Sequence, residues 1–185
     1  MGREGRWKDA DLLNGAKVYV LTAIEHGTRR VRVLGATTGH PAQSWVVQQA
    51  RNLLMDLEDT GFRVKFVLHD RDTSFTPAFD AVFQATGARV IRSAIQAPRM
   101  NSIMERWIGS CRRELLDRTL VWSQLHLMTA LREYEDFYNT HRPHRTLRQA
   151  APLRPLPDGI TDLHHFRVRR RDRAGAAIHE YRLVA

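Results

Sequence analysis

The spacing of apolar and polar positions opens on strand patterns and then lengthens to helical ones. Lys17-Val18-Tyr19-Val20-Leu21-Thr22-Ala23-Ile24 is dense in β-branched and aromatic residues and predicts a strong strand. Trp7 to Leu13 is a weaker strand pattern, poor in β-branched residues, and Asn14-Gly15 between the two is the preferred pair for a two-residue hairpin turn. Thr28 to Val33 alternates, with Thr28, Arg30 and Arg32 on one face and Val31 and Val33 on the other, which predicts a third strand and an antiparallel meander. After Pro41, which can open a helix at its first position, Val46, Ala50, Leu53, Leu54 and Leu57 form a helical stripe that runs to Gly61. Arg63 to Leu68 returns to strand, and its continuous Phe66-Val67-Leu68 end predicts burial on both faces. A helix capped by Thr76 and opened by Pro77 carries Phe79, Val82 and Phe83 inward and stops at Gly87; Ala88 to Ile91 predicts the fifth strand.

Two longer helical stripes follow. One spans Ser102 to Asp117 with Ile103, Trp107, Ile108, Cys111, Leu115 and Leu116 on its apolar face; the other spans Ser123 to Asn139 with Leu127, Leu131, Tyr134 and Tyr138. Pro152, Pro155 and Pro157 mark a linker, and His165 to Arg170 and Ile178 to Val184 predict a small hairpin around Gly175. The order βββ-α-β-α-β-α-α predicts an α/β fold: a mixed five-stranded sheet with helices on both faces over residues 1–150, and a linker with a basic hairpin over 151–185. In such sheets sites gather at the carboxyl ends of parallel strands, where Asp70 falls.

Charge changes this picture from a scaffold to a candidate nucleic-acid protein. The net charge is +9, and 26 of the 29 basic residues are arginine, whose planar fork suits phosphate. Residues 141–185 hold 10 arginines against 4 acids, the density of a surface for a polyanion. No apolar run approaches the ~20 residues of a membrane span, and no secretory signal opens the chain. Cys111 is the single cysteine, which excludes an intrachain disulfide and a cysteine-rich zinc site and points to the cytosol. His69, His141 and His144 lack the partners of a zinc site, so they are read as solvated or DNA-facing.

Phosphodiester chemistry asks for a good oxygen nucleophile and a neutralised leaving oxygen, which two divalent ions held by carboxylates supply. Asp70 ends an apolar strand and Glu105 lies in the first turn of a helix; Asp11, before the hairpin turn, is the candidate third acid. Each has a plain structural alternative. Asp70 can terminate a strand, Ser102 and Glu105 can form a capping box, and Asp11 can be a turn acid with Asp9 on the same strand face. Asp72 lies deeper in the loop and is the less suited ligand.

Three segments carry a resemblance: His69-Asp70-Arg71-Asp72-Thr73-Ser74-Phe75-Thr76, then Gln96-Ala97-Pro98-Arg99-Met100-Asn101-Ser102-Ile103-Met104-Glu105-Arg106, then Tyr138-Asn139-Thr140-His141-Arg142-Pro143-His144-Arg145-Thr146-Leu147. In this order they resemble the integrase-like DDE transposases of bacterial insertion sequences, whose core is similar to that of retroviral integrase. The resemblance implies an RNase H-like fold, two Mg²⁺ or Mn²⁺ ions, DNA 3′-end cleavage and strand transfer, and self-association. It implies Asp11, Asp70 and Glu105 as catalytic, metal-binding acids. Asn101, Arg112, Arg142, His144, Arg145, Arg169, Arg170 and Arg171 are expected at the DNA, with element ends and target as partners. No membrane or small-molecule partner is expected, and the place of action is the nucleoid of a bacterial cytoplasm. One departure keeps an alternative open. The residues before Asp11, Trp7-Lys8-Asp9-Ala10, are polar where the family has an apolar strand, and the chain starts almost at the core. The alternative is a truncated, catalytically inactive DNA-binding remnant; an RNase H-like nuclease is a third reading.

Overall fold

The computed structural model describes residues 2–94, 98–155 and 167–184. Strands β1 (Gly2–Asp11), β2 (Lys17–Glu25) and β3 (Val31–Thr38) form an antiparallel meander. On its other edge β1 pairs in parallel with β4 (Phe66–His69), and β4 in parallel with β5 (Arg89–Arg92), so the strands lie in the order β3-β2-β1-β4-β5. Helices α1 (Gln43–Glu58) and α2 (Pro77–Gln84) cover one face; α3 (Ser102–Glu114) and α4 (Gln124–Thr140) cover the other.

The alternation of β2 builds both cores. Val18, Val20 and Ile24 pack with Met104, Trp107 and Cys111 of α3 and Leu127, Leu131, Tyr134 and Tyr138 of α4. Leu21 and Ala23 point the opposite way, to Val46, Ala50, Leu53 and Leu57 of α1 and Phe79 and Phe83 of α2. A strand buried on both faces has no polar side to show, which is why β2 reads as a near-continuous apolar run. The chain is a mixed α/β fold layered helix, sheet, helix.

Several boundaries differ from the sequence reading, each for a physical reason. β1 begins at Gly2 rather than Trp7, because pairing with β2 on one side and β4 on the other makes a strand of a segment with little β propensity. The β1–β2 connection is not a two-residue turn. Leu12 N donates to Ala16 O at 2.9 Å, and residues 13–15 form the loop with Gly15 at φ 79°, the left-handed position of a three-residue hairpin. β3 starts at Val31 because Thr28, Arg29 and Arg30 are spent on the turn, with Arg29 at φ 66°. Phe66 is 41% exposed, so burial on both faces begins only at Val67. Thr76 occupies the cap position of α2 without a side-chain cap bond. α3 ends at Glu114, and residues 116–118 tighten into a 3-10 turn after buried Leu115 leaves helical geometry at φ −124°.

The basic hairpin forms from β6 (Arg167–Arg173) and β7 (Ile178–Val184). Ile178 enters the α3/α4 core, and Glu180, 1% exposed, receives Arg173 Nε at 2.6 Å and lies 2.9 Å from His141 Nε2. Arg173 Nη1 also donates to Asp136 of α4 at 2.6 Å, and Ala174 N donates to Glu133 at 2.5 Å. Pro157 and His165, expected in the linker and hairpin, lie outside the described residues, as do Gln96 and Ala97. Among the described residues no helix is long and apolar enough to cross a membrane.

Candidate active site and nucleic-acid face

Asp70 leaves the carboxyl end of β4 at the edge of an open cleft lined by His69, Asp70, Arg71, Asp72, Thr73, Phe75 and Arg92. Its Oδ1 accepts from Asp72 N at 3.2 Å, and Asp72 Oδ1 accepts from Ser74 N at 2.8 Å, so Asp72 serves to turn the loop. The strand exit is held from behind. His69, 1% exposed, has Nδ1 2.6 Å from Asp70 O and Nε2 2.9 Å from Asp80 Oδ1, while Arg92 Nη2 donates to Asp80 Oδ2 at 2.6 Å. His69 is therefore a buried support rather than a solvated or DNA-facing residue. Sequence reading passed over Asp80; a lone acid between Phe79 and Phe83 on an otherwise apolar helix was the legible signal.

Glu105 sits in the first turn of α3, whose cap position is Asn101, not Ser102, and makes no side-chain cap bond. A Ser102–Glu105 capping box, which needs Ser102 at the cap, does not form. The first turn is fixed against the sheet instead: Thr22 Oγ1 donates to Met104 Sδ at 3.6 Å, and Met104 and Trp107 are buried. Among the described residues Asn101 Oδ1 is buried without a hydrogen-bond partner.

Asp11 is not brought to these two acids. In the parallel ladder Gly5 stands beside His69, so the next step along both chains sets position 6, not 11, beside Asp70. Asp11 pairs with Lys17 at the far end of β1, five residues farther, or about 17 Å at the rise of a strand. Five is also an odd number, which turns Asp11 to the opposite face. Two divalent ions need ligand oxygens within about 2.1 Å each, so Asp11, Asp70 and Glu105 do not fit a shared metal pair. Among the described residues no three acid, histidine or cysteine side chains gather as a metal site.

The third motif ties the fold together. Asn139 clamps the start of β3, accepting from Val31 N and donating to Val31 O, both at 2.9 Å. Arg142 closes a fork on Glu114, with Nη2 to Oε1 at 2.8 Å and Nε to Oε2 at 3.1 Å, and its guanidinium lies 5.4 Å from the Tyr138 ring centroid. Tyr134 donates its hydroxyl to the same carboxylate at 2.8 Å. Burial works to raise the Glu114 pKa, but the Arg142 and Tyr134 bonds outweigh it and hold it below the usual range. Burial pushes the Tyr138 hydroxyl up to about 12. His144 is buried edge-on to Tyr138, and burial followed by the nearby Arg142 charge depresses its pKa. Arg142 is thus half-buried against Glu114 and Tyr138, and His144 is packed against Tyr138.

The displayed cations lie elsewhere. Arg145 is exposed, and Arg112 is about half exposed beside Asp117 at 3.7 Å. On β6, Arg167, Arg169 and Arg171 are exposed and alternate onto one face, while Arg170 on the other face forks onto Asp172 at 2.7 and 2.9 Å.

Known proteins share this architecture. The integrase core domain family matches residues 86–152, a span that contains Glu105 and the Tyr138–Leu147 motif. The fold is similar to a chain of the simian T-cell lymphotropic virus intasome in complex with PP2A regulatory subunit B56 gamma, at 15% identity and a TM-score of 0.61 over 87% of this chain; the match spans 58% of the viral chain. It is similar to the HTLV-2 integrase catalytic core domain in complex with magnesium, at 12% identity and TM-score 0.57, over 77% of this chain and 88% of that one. The Mos1 transposase catalytic domain with Raltegravir and Mg matches at 18% identity and TM-score 0.56, over 74% of each chain. No curated protein sequence matches the chain. The integrase core domain model matches residues 86–152, and over most of its length the chain has a fold similar to those of the viral integrase and transposase cores.

Proposed function

We propose that this chain acts on DNA as the core of a transposase, in DNA integration and transposition, with Asp70 and Glu105 as its two acids. The observation that carries the reading is the pair of placements: Asp70 at the carboxyl end of a parallel strand, and Glu105 on the first turn of the helix covering one face of that sheet. An RNase H-like arrangement of five strands accommodates both. Element ends and target DNA are the partners, and residues 151–185 form a basic appendage to a core spanning residues 1–150. Self-association is proposed by likeness to the HTLV-2 integrase core, described in dimeric and trimeric forms, and to the viral intasome chain. The site of action is the bacterial nucleoid.

Magnesium accompanies the HTLV-2 and Mos1 cores, and a divalent ion is the chemistry proposed for acids in this setting. The register of Asp11 favours a second reading, DNA binding without strand cleavage.

Both readings require DNA binding, which fluorescence anisotropy with a labelled duplex measures. The double variant Arg169→Glu, Arg171→Glu is expected to weaken binding and lower the salt slope by about two, roughly one per arginine. Glu105→Gln is expected to leave duplex binding in place. Undiminished binding by the double variant rejects the β6 face as the DNA surface.

A further inference from the structure

Two independent register relations and one face relation meet at a single backbone position. The parallel ladder pairs Gly5 with His69 and so sets position 6 beside Asp70. The antiparallel ladder on the other side pairs position 6 with Thr22, whose hydroxyl reaches Met104, the residue before Glu105. The faces agree. Ala10 of β1 packs with Val18, Val20 and Met104 in the α3/α4 core, and strand alternation puts position 6 on that same face. Val67 of β4 packs in the α1/α2 core, so alternation returns position 70 to the α3 side. Position 6 thus lies between Asp70 and the first turn of α3, on the face they share; Asp9 and Asp11 alternate to the opposite one.

We infer that position 6 is the place of the third carboxylate in this fold, and that arginine there leaves the chain without a complete divalent-metal site. An arginine is positively charged at every physiological pH and offers no lone pair to a metal. A residue of this chemistry repels the ions that a carboxylate at the same position would attract. The inference rests on the proposed reading of Asp70 and Glu105 as the acids. It places the missing metal ligand at position 6 rather than at Asp11, and so favours the second proposed reading, DNA binding without strand cleavage.

Titration calorimetry of the full chain with Mn²⁺ tests this without any activity assay. The parent chain is expected to bind Mn²⁺ no tighter than its Asp70→Asn variant, and Asp11→Asn is expected to change nothing. Arg6→Asp and Arg6→Glu, each checked for folding by circular dichroism, are expected to tighten Mn²⁺ binding roughly tenfold or more, the scale lost on disturbing even an outer partner of a metal ligand. That gain disappears on adding Asp70→Asn or Glu105→Gln and survives Asp11→Asn. Two results overturn the inference: Mn²⁺ binding by the parent chain that Asp11→Asn abolishes, which needs no change at position 6, or a folded position-6 acid that binds no tighter than the parent. Loss of DNA binding would reject the proposed function and leave the Mn²⁺ result standing.

Discussion

Arg142 and Glu114 join α3 to the end of α4 through a fork that Tyr134 completes. Replacing the carboxylate leaves a half-buried guanidinium with one strong acceptor fewer. Glu114→Gln is therefore expected to cost about 1–2 kcal/mol at neutral pH by urea unfolding, the range for a charged hydrogen bond discounted because both side chains keep some solvent contact. The folded pKa of Glu114 lies below its unfolded value, so its contribution is present above about pH 4.3 and is lost as pH falls through the lower folded value. The parent should lose more stability than the variant between neutral pH and that acid range; equal losses would show that the fork does not set the shift. Asp80→Asn is expected to cost about 2 kcal/mol, since the amide keeps one acceptor where His69 and Arg92 each use one. At this scale the sequence was only partly legible. Asp70 and Glu105 stood out by their neighbours, but Asp80 did not, because its partners are 11 and 12 residues away across a loop and a helix. Arg142 and His144 read as surface cations because nothing in a linear motif shows that Glu114 and Tyr138 will close over them.

At the scale of elements, the docked hairpin depends on one buried acid. A two-stranded hairpin alone is marginal in water, and β6–β7 is held to α4 by Ile178 and by the charges around Glu180. Glu180→Gln weakens the contacts to Arg173, Arg182 and His141 together, and is expected to raise hydrogen exchange through residues 178–184 while α4 keeps its protection. Unchanged exchange in β7 would mean that the apolar contact of Ile178 is sufficient. The helices were readable because their stripes are long and periodic. β1 was not, because two neighbouring strands impose its extended form, and a pairing partner sixty residues away leaves no local mark. That same non-local register separates Asp11 from Asp70: spacing along the chain points to Asp11, whereas the ladders with β2 and β4 set a position five residues earlier beside Asp70.

For the whole molecule, the layered α/β order is legible from alternation and period alone, and the charge surplus points to a polyanion. Which arginines serve that partner was not legible, because some close internal forks and others face solvent. The proposed function requires that the chain engage DNA through its exposed basic face. The direct measurement is the affinity of the full chain for a DNA duplex across a series of salt concentrations. With Arg167, Arg169 and Arg171 each meeting a phosphate, log K should fall linearly with log salt at a slope of about −3 or steeper. An affinity independent of salt, or no binding at low salt, would contradict it.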